Sequence, residues 1–420
     1  MSRWRSWVYP TWHPYPVFAA LGVLSAWFFA VTGTVWAVTG EFTRLGGHAL
    51  RLVGVDPSSW AYYQITKLDG SPLDRTDGWI VIAMFLGALA AALFAGDVKL
   101  RIPPLRRRMV QGFAGGVIAG FGARLAYGCN LAALFTGIPQ FSFHAWVFTA
   151  TTALGTWLGL RVIRQSWWRG PARLERVASK AAGGLPQGEA AARRRTTQRN
   201  VGFAVTAALV VIVAGYALTG HAKLAAAAAF GTAFGVLIQR GQICFTSAFR
   251  DLWLSGRALL GKALVIGLAV ATLATFAVLQ VGGVPAVIRP AGLGTVIGGT
   301  LFGIGIVLAG GCETGMMYRV VEGQVHYWFV FVGNIVGATL LAFGWDHLGI
   351  HAALVQGSPK IDLIASWGPY GALLATLAAL GLWYAAMVHR ERTFRYGAGR
   401  RAATSAPAPA AVAMSERNPS

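Results

Sequence analysis

The chain has 420 residues, of which 55% are hydrophobic and only 12% are charged, and its formal net charge is +21. Soluble domains carry about 25% charged residues, so the composition argues against a soluble enzyme and favours a membrane protein. The basic residues gather in short clusters beside apolar runs, as in cytoplasmic loops that follow the positive-inside rule. This distribution suits an anionic bilayer surface and argues against nucleic-acid binding.

Ten apolar segments approach or exceed the length of about 20 residues that spans a bilayer. In chain order they are 16–38, 79–98, 110–127, 143–163, 201–218, 222–239, 263–281, 293–309, 325–345 and 367–388. The first is too long for the apolar region of a signal peptide, so we expect a retained helix. The basic clusters place both termini in the cytoplasm of a multi-pass protein. The sequence predicts an all-α integral membrane protein of about ten transmembrane helices.

The basic segment 164–200 divides the chain into two membrane halves, 1–163 and 201–390. We expect 164–200 to be a cytoplasmic linker. The stretch 391–420 is rich in Ala, Pro and Ser, a composition that favours a disordered tail.

A motif recurs around the three cysteines, Cys129, Cys244 and Cys312. Each follows a glycine by nine residues, in "GFGARLAYGC", "GVLIQRGQIC" and "GIGIVLAGGC". The first and third are followed by a His-x-Trp at the start of the next span. Because these two motifs enter the membrane from opposite sides in the predicted topology, we expect an inverted pseudo-symmetric repeat, a common plan of transporters. Glycines that merely allow close helix packing are the alternative.

Short apolar pieces follow Cys129 and Cys312 and are too short to cross. They predict re-entrant half-helices, which a membrane tolerates where they line a cavity or are buried in protein. Such a helix points its free N–H groups back at the cysteine and attracts an anion. Glycines let the backbone approach a small ligand. The candidate binding residues are Cys129, Cys244, Cys312, Gly128, Asn130, Gly311 and Glu313.

Arg124, Arg240 and Arg319 lie within seven residues of a cysteine and are candidates to meet an anion. Arg124 is the deepest by sequence, and Glu313 or Glu322 is an alternative, structural partner for it. Arg240 and the pair Arg250–Asp251 are alternatively placed at the cytoplasmic boundary. A thiol is a soft, weak hydrogen-bonding group and suits an anion with exposed sulfur or selenium. The spacing indicates no metal site, and we expect no cofactor.

The chain resembles the YeeE/YedE family of bacterial inner-membrane proteins of the sulfur-transport type, and is most similar to its selenium-associated YedE branch. Four stretches carry the resemblance: "TGTVWAVTGEFTR", "GFGARLAYGCNLAALFTGIPQFS", "QICFTSAFRD" and "LAGGCETGMMYRVVEGQVHYW". The resemblance implies an hourglass-shaped helical fold and uptake of thiosulfate along cysteines that match Cys129, Cys244 and Cys312. It also implies a cytoplasmic sulfur-carrier partner of the TusA type.

Two other functions compete with a transporter of a small sulfur or selenium anion. One is a membrane thiol enzyme that relays sulfane sulfur between cysteines, for which an arginine near a thiol would lower its pKa. The other is an accessory protein for selenium metabolism. No Cys-x-x-Cys or Cys/His pair at suitable spacing supports the enzyme, so we do not expect one. The chain has no GxxxxGK[ST] loop for ATP, so we do not expect a pump.

Overall fold

The computed structural model describes residues 11–170 and 189–405, with side chains for 11–170 and 192–394. The helices of these residues are listed in chain order. They are α1 (Pro14–Thr32), α2 (Thr39–Leu52), α3 (Ala61–Thr66), α4 (Thr76–Ala95), α5 (Arg107–Leu125), α6 (Asn130–Phe135), α7 (Phe143–Arg164), α8 (Ser166–Arg169), α9 (Glu189–Leu218), α10 (Ala222–Arg240), α11 (Phe245–Ser255), α12 (Leu259–Val281), α13 (Leu293–Ala309), α14 (Glu313–Val321), α15 (His326–His347), α16 (Ile350–Leu354) and α17 (Leu363–Ser405).

The prediction of an all-α membrane protein is confirmed. Within the described part of the chain, nine helical stretches are long and apolar enough to cross a membrane. The predicted span 143–163 is not one of them, although α7 has 22 residues. Its threonines, tryptophans and His144 lower its mean hydropathy, and it packs against α13 inside the protein. The chain therefore has about ten long helices.

The helices form four units that each contain a long helix, a break with short helices, and a second long helix. The units are α1–α4, α5–α7, α10–α12 and α13–α15. The contacts between units occur in matching pairs. The contact of α4 with α10 matches that of α12 with α1, and the contact of α5 with α15 matches that of α13 with α7. Exchanging the two halves of the chain maps each of these contacts onto its counterpart, so the helices are arranged as a two-fold repeat. The helix α9 connects the halves.

The contact between α5 and α13 indicates how the halves are oriented. A Cβ on Gly115 would lie 2.3 Å from Ala309 N, and a Cβ on Gly298 would lie 2.6 Å from Ala126 N. When Cys129 is aligned with Cys312, Gly115 corresponds to Gly298 and Ala126 to Ala309, so the two contacts are images of each other. The same residues show that the helices run antiparallel. Each helix uses the same surface for this contact, so the contact is isologous. Its two-fold axis is perpendicular to the helices, as in an inverted repeat.

The basic clusters of the described residues gather at one end of the helices. Arg194 donates to the carbonyl of Val98 at 2.7 Å, which joins the start of α9 to the basic segment after α4. The amide of Trp12 donates to the carbonyl of Arg240 at 2.8 Å, and Lys262 pairs with Glu391 at 2.8 Å. Both ends of the described chain therefore lie near this end, which we call the basic end.

One boundary differs from the prediction. The last helix, α17, runs through Ser405, because "ERTFRYGAGRRAA" contains good helix formers, so the expected tail at 391 begins inside a helix. The segment between the first two predicted spans contains α2 and α3. The expectations for the linker between 171 and 188, and for the tail from 406 to 420, lie outside the described residues.

Candidate functional site

Each cysteine follows a bend with the same backbone geometry. The residue two positions before it has a positive φ in all three motifs: Tyr127 at 58°, Gln242 at 50° and Gly310 at 82°. This left-handed conformation costs an L-residue about 1–2 kcal/mol and persists only where the surrounding structure holds it. In two of the three bends the residue in this conformation is not a glycine. The bend therefore belongs to the repeat and is not a local effect of glycine.

The bend places each cysteine at the N-cap of a short helix, as the sequence predicts. Cys129 precedes α6, Cys244 precedes α11, and Cys312 precedes α14. The helices α11 and α14 have 11 and 9 residues, whereas α6 is a six-residue π-helical turn. The first amides of a helix lack intrahelical acceptors and carry a partial positive charge. In the first unit the corresponding cap before α2 is Val38, so that unit has no thiol.

All three cysteines are free and buried, but they are not evenly spaced. Cys244 Sγ lies against the first turn of α14, 2.7 Å from a Cβ placed on Gly315, and therefore near Cys312 at the N-cap of that helix. Cys129 is separate from this pair and follows Gly128, which lines a cavity described below. The bends before α11 and α14 bring the thiols of Cys244 and Cys312 near each other.

Arg319 lies beside this pair of thiols. Its Nη1 is 3.8 Å from Cys244 Sγ and donates to the hydroxyl of Tyr327 at 3.0 Å. That hydroxyl donates to the carbonyl of Gly310 at 3.0 Å. Within the described residues, Arg319 has no carboxylate partner. A guanidinium held inside a membrane protein without a carboxylate is typical of a site for an anionic ligand.

Two glycines allow this approach. A Cβ on Gly315 would lie 2.7 Å from Cys244 Sγ, and a Cβ on Gly311 would lie 2.8 Å from Arg319 Nη1. Any side chain at either position would push the arginine or the thiol aside. Gly311 is a predicted site residue, whereas Gly315 is not.

Glu313 and Asn130 form a buried polar centre near the thiols. Both side chains are 1% exposed. Glu313 Oε1 accepts from Asn334 Nδ2 at 3.3 Å, while Glu313 Oε2 and both amide atoms of Asn130 have no protein partner within the described residues. Glu313 directly follows Cys312, and Asn130 directly follows Cys129. Unpartnered polar atoms are costly at such a depth, and a hydrophilic ligand would satisfy them.

A cavity of 380 Å³ lies at the C-terminal end of α5, and we call it the Arg124 cavity. Its polar and charged lining includes Arg44, Asp77, Arg124, Ser142, His144 and Arg289. Arg44 is neutralised by Glu41 at 3.0 Å and by Asp77 at 2.9 Å. Arg124 contacts Thr39 Oγ1 at 3.5 Å and the ring of Tyr62 at 5.3 Å, and no carboxylate among the described residues pairs with it. The cavity is therefore positive.

A second cavity, of 630 Å³, lies at the other end of α5, and we call it the Arg250 cavity. Its polar and charged lining comprises Arg108, Gln111, Arg164, Arg169, Arg250 and His326, together with Gly310 from the Cys312 bend. Arg250 pairs with Asp251 at 2.9 Å. This cavity is at the basic end, and the thiols lie between it and the Arg124 cavity. All three thiols are buried, and none of them lines either cavity.

Arg240 and Glu322 are occupied elsewhere. Arg240 pairs with Asp97 at 3.2 Å at the basic end, so the boundary interpretation describes it better. Glu322 accepts from Gln239 at 3.0 Å and from Gln242 at 2.9 Å. Neither Glu322 nor Glu313 forms an ion pair with Arg124, so that suggested partnership is wrong. Arg124 lines an open cavity, whereas Arg319 touches a thiol.

The sequence reasoning missed Tyr327, Asn334 and Arg289. The role of Tyr327 has a counterpart in the other half: His144 Nε2 lies 2.7 Å from the carbonyl of Ala126, as the Tyr327 hydroxyl meets Gly310. His144 is the histidine of the His-x-Trp in its half, whereas Tyr327 is the residue after that histidine in the other half. The two side chains therefore differ by one position in the repeat. The repeat could have indicated a role for Tyr327, because it lies beside the His-x-Trp that both halves share. Asn334 and Arg289 lie on a distant helix and loop, and no spacing connects them to the cysteines.

Comparison with known proteins agrees with this site. A family model described as sulphur transport matches residues 1–158 and 240–414. The chain belongs to this family. The matched regions contain all three cysteines and exclude residues 159–239, which include the connection between the halves. Because the family is a transport family, the chain is a membrane transporter and not an enzyme. This result favours transport over the two competing functions.

Individual relatives agree with this assignment. The chain is 49% identical to a probable transporter, YedE, of Salmonella typhimurium over 94% of this chain and 96% of that protein. It is 50% identical to the Escherichia coli YedE over 90% of this chain and 92% of that protein. It is 43% identical to the thiosulfate transporter TsuA of Spirochaeta thermophila over 36% of this chain and 51% of that protein. Membership of the YeeE/YedE family is confirmed.

Proposed function

We propose that the protein is a channel-like transporter of the bacterial inner membrane that carries thiosulfate, or a related small sulfur or selenium anion, past Cys129, Cys312 and Cys244. One observation supports this most strongly. Two arginines that pair with no carboxylate among the described residues lie near the buried thiols: Arg319 Nη1 is 3.8 Å from Cys244 Sγ, and Arg124 lines the cavity that Gly128 also lines. An anion that entered either cavity would meet a cation first and a thiol next.

The chemistry of Arg319 and Cys244 matches the two ends of thiosulfate. A guanidinium donates to oxyanion oxygens, and a thiol offers a soft, weak donor to a terminal sulfur. The two groups are 3.8 Å apart, so one small anion can contact both. The thiols would act in the protonated form, because a thiolate would repel a dianion. Sulfate offers only oxygens and would lose the sulfur contact.

The orientation follows from charge. Cytoplasmic loops carry the excess of Lys and Arg, so the basic end, with the Arg250 cavity and both ends of the described chain, would face the cytoplasm. The Arg124 cavity would then receive the anion from outside. A cytoplasmic sulfur carrier of the TusA type would take the anion at the Arg250 cavity, whose surplus of arginines suits an acidic surface. Co-purification from a strain that expresses both proteins tests this partner.

The experiment that tests the function is a flux panel. Purified protein in liposomes is compared with protein-free liposomes for entry of labelled thiosulfate, sulfite, selenite and sulfate. We expect protein-dependent entry of thiosulfate or selenite, competed by the other, and little entry of sulfate. Protein-dependent entry of none of these anions would contradict the proposal.

A further inference from the structure

Glu313 places an acidic group where the proposed path carries an anion. It is the first residue of α14, directly after Cys312, and its side chain is 1% exposed. Its Oε1 accepts one weak hydrogen bond, from Asn334 at 3.3 Å, and its Oε2 has no protein partner within the described residues. A buried, ionised carboxylate with so little support is costly unless it is paired.

Among the described residues, no cation forms an ion pair with Glu313. The ionisable groups around the start of α14 are the thiols of Cys312 and Cys244, the thiol of Cys129, and the guanidinium of Arg319, whose Nη1 lies 3.8 Å from Cys244 Sγ. Arg319 donates to Tyr327 and not to Glu313. The helices packed against α14 are α4, α10, α11 and α15, and Asn334 of α15 is the side chain that reaches Glu313. The charged groups of these helices that form ion pairs do so elsewhere: Asp77 with Arg44, Arg240 with Asp97, Arg250 with Asp251, and Asp346 with His347.

Two opposing effects act on the ionised carboxylate. The start of α14 stabilises it, because free amides and the helix dipole favour a negative charge there. An anion that reaches the adjacent thiols competes for the same positive field and repels the carboxylate. The repulsion is strong because the site excludes water. Protonation of Oε2 removes this repulsion. The resulting hydroxyl can donate a hydrogen bond to an oxygen of the anion.

We propose that Glu313 binds one proton as the anion passes, so that the protein carries H⁺ and thiosulfate together. This inference rests on the proposed function. The proton comes from water in the Arg124 cavity, bonds to a carboxylate oxygen of Glu313, and leaves to water in the Arg250 cavity with the anion. No electrons move. By linkage, the anion raises the proton affinity of Glu313 by the same factor as the proton raises the affinity for the anion.

Transport in liposomes with the voltage clamped at zero tests this coupling. Labelled thiosulfate accumulation is compared with and without an inward gradient of one pH unit, and a trapped pH dye reports the interior. With one proton per anion, the gradient raises the final accumulation by about tenfold, and added thiosulfate acidifies the interior. In Glu313→Gln, which imitates the protonated group, accumulation becomes independent of the gradient.

Glu322→Gln is the matched control, because Glu322 is also a buried glutamate but accepts hydrogen bonds from two glutamines near the basic end. The pH response of this variant should equal that of the wild type. If Glu313→Gln does not fold, the trapped dye in liposomes with the wild-type protein tests the coupling, because coupled entry of thiosulfate acidifies the interior. Thiosulfate entry without acidification or pH response would overturn the coupling and leave the proposed function intact. A persistent pH response in Glu313→Gln would also overturn it. No thiosulfate entry under any condition would overturn both.

Discussion

Arg319 Nη1 lies 3.8 Å from the sulfur of Cys244. The two side chains come from different units of the repeat, and Gly315 leaves the space between them free of a side chain. The tyrosines at 318 and 327 place their rings 5.0 and 5.2 Å from the guanidinium, so the arginine is held by aromatic faces and a thiol. Such neighbours position a cation without neutralising it, and the charge remains available to an anion.

Arg319→Gln should reduce thiosulfate influx in liposomes by at least about tenfold, because a charged hydrogen bond contributes roughly 1.5–3 kcal/mol. Arg319→Lys should retain part of the influx, since it keeps the charge but loses the planar donors. Influx is measured per unit of reconstituted protein. Arg257→Gln, at an exposed arginine after α11, is the control. Equal influx in Arg319→Gln and the control would remove Arg319 from the path.

Arg124→Ala should act on capture and not on passage past the thiols, because Arg124 lines the open Arg124 cavity. We expect a higher KM for thiosulfate with a smaller change in maximal influx, and a weaker dependence on salt. Arg51→Ala provides the control, since Arg51 already pairs with Asp56 at 3.2 Å. An unchanged KM at normal abundance would assign Arg124 a structural role.

Gly315→Ala should stop transport and preserve the fold. Its Cβ would lie 2.7 Å from Cys244 Sγ and 3.0 Å from Arg319 Nη1, so the thiol and the guanidinium must separate. Gly381→Ala is the control, because nothing lies within 4 Å of a Cβ there. Both variants are compared by gel filtration and thiosulfate influx. Wild-type influx in Gly315→Ala would show that the spacing of the two groups does not matter.

Gly122→Val tests the two-fold contact between the halves. A Cβ on Gly122 would lie 2.5 Å from Phe302 N, and overpacking of this kind costs about 1–3 kcal/mol. We expect a lower Tm in detergent. Gly215→Val on α9, where a Cβ has open space, should change Tm little. Equal Tm values for the two variants would mean that α5 and α13 separate easily.

The sequence predicts the membrane fold and the bends well, because both depend on local patterns. The apolar spans follow from hydropathy, and the recurrence of Gly, Cys and His-x-Trp places Cys129 and Cys312 at equivalent bends. The half-helices follow because a short apolar piece after a bend cannot cross the bilayer. These features need no knowledge of which helices touch.

The sequence does not predict which groups meet across units. Cys244 and Cys312 are brought together by the packing of α11 and α14, and spacing along the chain carries no information on that contact. The partners of Arg240 and Glu322 depend in the same way on loops from elsewhere in the chain. Tyr127 and Gln242 adopt a conformation that their residue types disfavour, so only the comparison with Gly310 could have indicated it.

The central claim is that the thiols themselves carry the anion, and serine replacement tests it most directly. Serine keeps the size but exchanges a soft donor for a hard one, so the oxygen contacts strengthen and the sulfur match is lost. We expect Cys244→Ser and Cys312→Ser, each reconstituted at equal amount, to lose at least about tenfold in initial thiosulfate influx, equivalent to 1.4 kcal/mol. Cys129→Ser, beside the open cavity, should lose less. Wild-type influx in all three serine variants would contradict the account and make the cysteines packing residues.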